Sequence, residues 1–214
     1  MVDFLVKVVV AYLLGSVSGS LVVGRLRGGV DIRTQGSGNA GGTNALRTQG
    51  RVFAFWVMLI DVGKGLLAVT VVTHLSLPGP LPSGPQWQAW LPVACGAAAV
   101  VGHVFPVWFG FRGGKGAATL LGIVAVLSPW GLVPVLAVWI LCLVLTGYVG
   151  LSTIFGAAAF PVFVLISGAQ PFAPLLIFGV VMALFIVFTH RSNLRRMFAG
   201  TESRFRKVMF LRKS

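Results

Sequence analysis

Charged residues are scarce in this sequence, and carboxylates are the scarcest of them. Only 10% of the 214 residues are Asp, Glu, Lys or Arg, and 57% are hydrophobic, whereas about a quarter of the residues in soluble domains are charged. This composition excludes an ordinary soluble protein, and lipid is the expected solvent for most of the chain. The only carboxylates are Asp3, Asp31, Asp61 and Glu202. They are too few for a carboxylate-bound magnesium ion, so we expect no metal and no cofactor.

Cysteine is nearly absent as well. The two cysteines, Cys95 and Cys142, stand alone in apolar surroundings, and neither has another cysteine or a histidine at metal-ligating spacing. The sequence therefore gives no support for a disulfide framework or a zinc site. Both side chains are expected to pack between helices as small apolar groups.

Basic residues outnumber acidic ones, and the formal net charge is +13 at pH 7. They lie in short connections and in a tail between apolar segments, and no soluble basic domain carries them. We therefore expect no nucleic-acid partner. Membrane lipids with anionic headgroups and phosphorylated substrates are the expected partners of these charges.

Long apolar segments predict transmembrane helices, each of which needs about 20 residues. The clear candidates are 3–24, 52–75, 88–109, 151–167 and 174–189. Segment 117–147 is too long for one ordinary helix, and Ser128-Pro129-Trp130-Gly131 predicts a turn near its middle. We therefore expect two short helices in 117–147.

The basic residues fix the expected orientation, because cytoplasmic connections are enriched in Lys and Arg. Seven crossings place every basic cluster on the cytoplasmic side, whereas six would expel the tail. The predicted fold is an all-α integral membrane protein of seven transmembrane helices in a single domain over 1–214, with its amino terminus outside. The clusters are Arg25, Arg27, Arg33, Arg47 and Arg51, then Arg112 and Lys115, then the basic tail at about 191–214.

Two glycine-rich polar stretches interrupt the apolar sequence: residues 36–47, here the first glycine loop, and residues 102–116, the second glycine loop. Glycines let successive backbone N–H groups converge on an anion, while hydroxyl, amide and basic side chains add hydrogen bonds and charge. Helix packing alone would need none of these polar groups, so we favour phosphate binding. The candidate binding residues are Gly38, Asn39, Gly41, Thr43 and Asn44 in the first loop, and Gly113 and Gly114 in the second.

Neither loop is a nucleotide motif. Gly36-x-Gly38-x-x-Gly41 matches the dinucleotide fingerprint in spacing, but no β-α-β pattern surrounds it. The Gly113-Gly-Lys-Gly116 segment lacks the first glycine of a P-loop and has Gly116 where Ser or Thr would bind magnesium.

Four further polar residues need partners in or near the spans. Asp61 and Lys64 lie three residues apart on one helix face, so we expect them to pair, and whether Lys64 also contacts a substrate phosphate stays open. His103 and His190 are expected at the cytoplasmic ends of their helices. There each histidine either interacts with the helix dipole and lipid headgroups or takes part in catalysis.

These motifs resemble those of the PlsY family of bacterial membrane acyltransferases, which transfer a fatty acyl group from acyl phosphate to glycerol 3-phosphate. The likeness runs nearly end to end, and one departure is Gly150, where the family pattern has Ser. The matching segments are the first glycine loop, Asp61-Val-Gly-Lys-Gly65, the second glycine loop, Gly147-Tyr-Val-Gly-Leu-Ser152, Thr189-His-Arg-Ser-Asn193 and Gly200-Thr-Glu202.

The resemblance implies a cytoplasm-facing site in the bacterial inner membrane that produces lysophosphatidate. Ser37 and Arg47 would bind substrate, and Lys115 with its neighbouring glycines would hold a phosphate. His190 and Asn193 would complete the site, with Glu202 structural. It also implies the soluble enzyme that makes acyl phosphate as a candidate partner.

The expected reaction is a direct attack of the glycerol hydroxyl on the acyl carbonyl. Acyl phosphate has a good leaving group, so positioning and charge neutralisation by Arg47, Lys115 and backbone N–H groups could supply most of the catalysis. The proton acceptor is either His103 or the substrate's own phosphate. A transporter for an organic phosphate is the rival hypothesis, but it predicts internal repeats around a midplane site, and no repeat is present.

Overall fold

The protein is predominantly helical over the residues that its computed structural model describes, namely 2–76, 85–206 and 209. No strand occurs among them. The last part of the predicted basic tail, at 207–208 and 210–214, lies outside the described residues. The helices are α1 (Val2–Gly15), α2 (Gly19–Leu26), α3 (Gly42–Gln49), α4 (Arg51–Thr70), α5 (Pro85–Gln88), α6 (Trp90–Val104), α7 (Ala117–Leu127), α8 (Leu132–Thr146), α9 (Val149–Ser167), α10 (Phe172–Thr189) and α11 (Arg191–Phe198).

The helices that are long and apolar enough to cross a membrane agree closely with the predicted spans. Short 3-10 turns extend α4, α6 and α8, and α1 with α2 makes a sixth candidate if this bent pair is one span. α7 is apolar but has only 11 residues. The five long candidates are Arg51–His74, Trp90–Phe109, Pro129–Thr146, Val149–Ser167 and Phe172–Thr189.

Segment 117–147 forms two helices, as expected, but they differ in length. The predicted turn is present as a 3-10 turn at Pro129–Gly131, between α7 and α8. α7 has 11 residues, or about 16 Å at a rise of 1.5 Å per residue, and α8 has 15, or about 22 Å. Together with the turn, α8 forms an 18-residue candidate span, whereas α7 is too short to be one.

The first span is also different, because 3–24 forms two helices that are bent by 46°. The chain leaves helical geometry after Gly15 and resumes it at Gly19. The Ser16 hydroxyl donates to the Tyr12 carbonyl at 2.9 Å and satisfies one group at the break. Two further backbone groups at the break, the Gly19 N–H and the Val17 carbonyl, are bound by charged side chains of α4.

The chain forms two compact units, residues 1–127 and 128–214, each defined by the contacts among its own residues. In the first unit α4 is central, and α1, α2, α3, α6 and α7 all pack against it. Glycines permit the close approaches, since a Cβ at Gly15 would meet the backbone of Ala99 and one at Gly122 would meet the backbone of Val62.

The second unit is built on α9, which packs against both α8 and α10. Phe160 of α9 is buried and makes an edge-to-face contact with Phe178 of α10 at 6.4 Å between ring centroids. The single-domain organisation of 1–214 stays a prediction.

Candidate active site

Asn44 holds the first glycine loop together from its buried interior. This side chain is 1% exposed, and both ends of its amide are used by the loop backbone. Its Oδ1 accepts from the Ser37 N–H at 3.0 Å. Its Nδ2 donates, at 3.0 Å each, to the carbonyls of Ile32, Gln35 and Asn39. Asn44 therefore shapes the loop, and the binding role predicted for it would act through that shape.

Several predicted binding groups of the first loop remain at the surface. Ser37, Gly38 and Arg47 are exposed, and Thr43 is half-buried. Gly38 has φ of +70°, a left-handed conformation that glycine adopts without strain. Gly41 precedes the first residue of α3, so the loop leads directly into a helix amino terminus, where unpaired N–H groups favour an anion.

The second glycine loop folds back onto the end of α6. The Gly113 N–H donates to the Val104 carbonyl and the Gly114 N–H to the His103 carbonyl, each at 3.1 Å. These two amides are therefore directed at the helix end. Lys115 follows them as a half-buried residue immediately before α7.

The two glycine loops meet at His103. A Cβ on Gly114 would collide with His103 Nε2 and would lie 2.9 Å from the Ala40 carbonyl oxygen of the first loop. Gly114 is therefore required for close packing. His103 is 2% exposed, so it lies inside the protein instead of at a lipid-exposed helix end.

A buried charge network lies behind His103. Lys64 Nζ is 2.9 Å from Asp61 Oδ1 and 2.8 Å from His103 Nδ1, and the same carboxylate oxygen is 3.4 Å from His103 Nδ1. The predicted pairing of Asp61 with Lys64 is thus confirmed. Lys64 lies about 20 Å along α4 from its first residue at 1.5 Å per residue, so the network is well inside the span.

The same network satisfies the break between α1 and α2. The Asp61 carboxylate accepts from the Gly19 N–H at 3.0 Å, and the Lys64 ammonium donates to the Val17 carbonyl at 2.8 Å. Backbone groups freed in a membrane helix need such partners, because no water is available there. The negative Asp61 thus lies at the amino terminus of α2, and the positive Lys64 lies just beyond the carboxyl terminus of α1. Each charge is opposite in sign to the dipole of that helix end.

The network also provides a basis for assigning the tautomer of His103. The three N–H groups of Lys64 are directed at Val17, Asp61 and His103. An ammonium can only donate, so with Lys64 charged we assign Nδ1 of His103 as the acceptor and its proton to Nε2. The Nε2–H group, on the side of Gly114, is therefore a donor. Lys64 has no donor left for a substrate, so a direct contact with a phosphate is not supported.

His190, Asn193 and Glu202 belong to the second unit. His190 is buried, and its Nδ1 lies 2.9 Å from the Ile186 carbonyl, to which it donates. The Asn193 amide donates to Glu202 Oε1 at 2.6 Å, and Arg196 Nε donates to Glu202 Oε2 at 2.6 Å. Glu202 therefore orients Asn193.

Gly150, the departure from the family pattern, packs against Asn193. A Cβ at this position would lie 3.0 Å from both Cβ and Cγ of Asn193. The absence of a side chain at Gly150 thus lets α9 approach α11 closely. A serine there would require Asn193 to shift by a few tenths of an ångström.

Two arginines, Arg25 in α2 and Arg33 in the connection between α2 and α3, bind the second glycine loop. Sequence reasoning missed these contacts. The Arg25 guanidinium lies over the Phe109 ring at 4.9 Å, and Arg33 donates to the Phe109 carbonyl at 2.9 Å. Hydrogen bonds from Arg33 lower the pKa of Asp31, and the same pairing raises the pKa of Arg33. No local pattern reveals contacts across 76 residues.

Comparisons with known proteins agree with this fold. The sequence matches the glycerol-3-phosphate acyltransferase family over residues 5–200. It is 39% identical to the glycerol-3-phosphate acyltransferase of Chlorobaculum parvum, over 95% of this chain and 97% of that protein. It is also 39% identical to that of Coxiella burnetii, over 94% and 97%.

Two crystal structures are also similar. PlsY, an integral membrane glycerol 3-phosphate acyltransferase, superimposes in its glycerol 3-phosphate form with a TM-score of 0.79 at 34% identity, covering 94% of this chain and 95% of that one. Its lysophosphatidic acid form gives 0.77 at 33% identity, covering 94% of each chain.

The apolar helices and the likeness to an integral membrane protein define a multi-pass membrane protein. This chain belongs to the glycerol-3-phosphate acyltransferase family and is an acyltransferase.

Proposed function

We propose that this acyltransferase transfers a fatty acyl group from acyl phosphate to glycerol 3-phosphate and releases 1-acylglycerol 3-phosphate and inorganic phosphate. The solved relatives in their glycerol 3-phosphate and lysophosphatidic acid forms support this acceptor and this product. The observation that carries the proposal is the meeting of the two glycine loops at His103. Each loop precedes a helix amino terminus, so two anionic groups can bind there in adjacent positions.

Ser37, Arg47 and Lys115 are the proposed substrate contacts of the first unit. Ser37 and Arg47 are exposed, and Lys115 is half-buried beside the amino terminus of α7. A guanidinium and an ammonium together offset part of the negative charge of two phosphate groups. We assign His190 and Asn193 to the same substrates, as the family resemblance implies.

The proposed chemistry is a single displacement. A glycerol hydroxyl oxygen attacks the acyl carbonyl carbon, and the new ester C–O bond forms as the C–O bond to phosphate breaks. The phosphate group departs with the bonding electron pair, and the hydroxyl proton passes to a substrate phosphate oxygen. Holding both substrates in reacting geometry contributes the entropic part of the rate enhancement, and the basic side chains stabilise the developing oxyanion.

His103 acts in this scheme as a hydrogen-bond donor. Its Nδ1 accepts from Lys64 at 2.8 Å, which leaves Nε2–H to donate toward the side of Gly114. A nitrogen that carries a proton cannot accept one from the glycerol hydroxyl. Of the two candidate acceptors, the geometry therefore favours the substrate phosphate.

We further propose seven crossings of the bacterial inner membrane, with the amino terminus outside and the site open to the cytoplasm. The bent pair α1–α2, the five long spans and the short α7 supply the seven. The basic first connection, second glycine loop and tail then all lie on the cytoplasmic side, as the positive-inside rule requires. The 11 residues of α7 imply a locally thin region of membrane beside the site.

The test uses purified protein in detergent with acyl phosphate and labelled glycerol 3-phosphate. Labelled lysophosphatidate is expected without ATP, acyl-CoA or added metal, and Lys115→Ala should raise the glycerol 3-phosphate KM sharply. The exposed Arg27 supplies a charge-matched control, since Arg27→Gln should leave the KM unchanged. An absolute requirement for acyl-CoA, or no product at all, would contradict the proposal.

A pair of His103 variants tests its role. His103→Gln keeps an N–H donor, so it should retain a measurable part of the wild-type rate, whereas His103→Phe should lose it. If His103 were the proton acceptor, both variants would lose activity equally, and the wild-type rate would fall as this histidine becomes protonated.

A further inference from the structure

The second glycine loop turns through two consecutive left-handed residues. Gly110 has φ of +67° and Phe111 has φ of +58°. Phe111 is the only non-glycine residue with positive φ in the part of the chain that the structure describes. Such a conformation costs roughly 1–2 kcal/mol for a residue with a side chain, and it persists only where neighbouring contacts hold it.

Arg33, which lies between α2 and α3, makes such contacts with this turn. Its Nη1 donates to the Phe109 carbonyl at 2.9 Å and to the Arg112 carbonyl at 3.1 Å. These two carbonyls stand on either side of the left-handed pair. One guanidinium nitrogen thus joins the beginning and the end of the turn.

Asp31 fixes the guanidinium in this position. Arg33 Nη2 donates to Asp31 Oδ2 at 2.7 Å, and Arg33 Nε donates to the two carboxylate oxygens at 3.0 and 3.1 Å. The Asp31 carboxylate also accepts the Arg33 backbone N–H at 2.9 Å. The planar guanidinium therefore binds the carboxylate through Nε and Nη2 and the two carbonyls through Nη1. A lysine ammonium has one nitrogen and cannot occupy both positions.

The turn leads directly to the proposed phosphate ligand. Gly113 and Gly114 follow Arg112 and are hydrogen-bonded to the end of α6, and Lys115 comes next. Only two residues, both hydrogen-bonded to α6, therefore separate Lys115 from the Arg112 carbonyl that Arg33 binds.

We propose that Arg33, held by Asp31, is a positioning residue that fixes the second glycine loop and places Lys115 to bind phosphate. This inference rests on the proposed function for the identity of the ligand, and on the hydrogen bonds alone for the ordering of the loop. Arg33 touches neither substrate in this scheme. Its replacement therefore changes affinity for glycerol 3-phosphate through the loop.

The first readout is amide hydrogen exchange, which does not depend on activity. Arg33→Gln should speed exchange of the Gly113 and Gly114 amides by roughly tenfold or more, as expected for loss of charged hydrogen bonds. Arg33→Lys keeps the charge and should show the same effect, while Arg27→Gln should not. Unchanged exchange in both Arg33 variants would overturn the proposal.

The second readout is kinetic. Arg33→Gln should raise the glycerol 3-phosphate KM by roughly tenfold with a much smaller change in kcat. In a Lys115→Ala background it should raise KM little further, because both changes then remove the same interaction. Fully additive effects, or a loss confined to kcat, would contradict the inference. An inactive wild-type protein would instead refute the proposed function, and the exchange result would still decide whether Arg33 orders the loop.

Discussion

Replacing Lys64 with methionine removes the cation of the buried network and keeps most of the side-chain volume. The Asp61 carboxylate then retains the Gly19 N–H at 3.0 Å but loses the ammonium at 2.9 Å. The Val17 carbonyl and His103 Nδ1 lose a donor at 2.8 Å each. The variant therefore leaves a fully buried negative charge without its main partner.

Breaking a buried ion pair on one side costs about 3–5 kcal/mol, because the remaining charge is not solvated. For a chain of about this length, each kcal/mol corresponds to about 2–4 °C in Tm. We therefore expect Lys64→Met to lower the Tm by roughly 6–20 °C. The double variant Asp61→Asn with Lys64→Met should recover part of this loss, since it leaves no buried charge, but Val17 remains without its donor.

The assay is thermal unfolding in detergent of proteins that also carry Cys142→Ala, because Cys142 is only partly buried. A thiol-reactive dye then labels Cys95 when the protein opens. Cys95 is fully buried, so labelling reports loss of packing around α6. Arg27→Met is the matched control and should change the Tm by no more than about 1–2 °C. If Lys64→Met behaved like this control, or if the double variant were no more stable than Lys64→Met alone, the network would not hold the helix break as described.

Two further predictions concern the loops. Asn44→Asp should destabilise the protein at least as much as Asn44→Ala, because a carboxylate would face the carbonyls of Ile32, Gln35 and Asn39 in place of a donor; a smaller Tm loss for Asp than for Ala would contradict this. Hydrogen bonds from Arg33 lower the pKa of Asp31 in the folded protein. The ionised Asp31 therefore stabilises the fold fully above its unfolded-state pKa of about 3.9, and this contribution is lost as the pH falls through the lower folded-state pKa. The Tm difference between wild type and Asp31→Asn should thus stay constant from pH 8 to about 5 and shrink below about 4, whereas a decline between pH 7 and 5 would refute it.

The membrane spans could be predicted because their signal is local. An apolar run of about 20 residues is sufficient evidence for a spanning helix, and the i, i+3 spacing of Asp61 and Lys64 was sufficient for their pairing. The break after Gly15 was not predictable in the same way. Its backbone groups are satisfied by Asp61 and Lys64, and the contact between Gly19 and Asp61 spans 42 residues.

The candidate site was predictable in its residue types and less so in their roles. The sequence predicts that Asn44 binds substrate, since an amide can serve a ligand or a loop equally well. Only coordinates show its four contacts with the backbone of residues 32–39. The sequence indicates Lys64 and His103 as candidates but predicts no contact between them. In the structure a 2.8 Å contact between these side chains joins α4 to α6 across 39 residues. The hydrogen bonds from Arg33 to the second glycine loop also have no sequence signal, because their partners are 76 and 79 residues apart in the chain.

Gly114→Ala tests most directly whether the meeting of the two glycine loops at His103 forms the catalytic site. The added Cβ would collide with His103 Nε2 and press on the Ala40 carbonyl, whereas Gly63→Ala adds the same group to open space within α4 and serves as the control. The measurement is kcat/KM for acyl transfer to glycerol 3-phosphate, with the Tm recorded for both variants. We predict a loss of roughly a hundredfold or more for Gly114→Ala and wild-type activity for Gly63→Ala. Equal activity of the two variants would contradict the account.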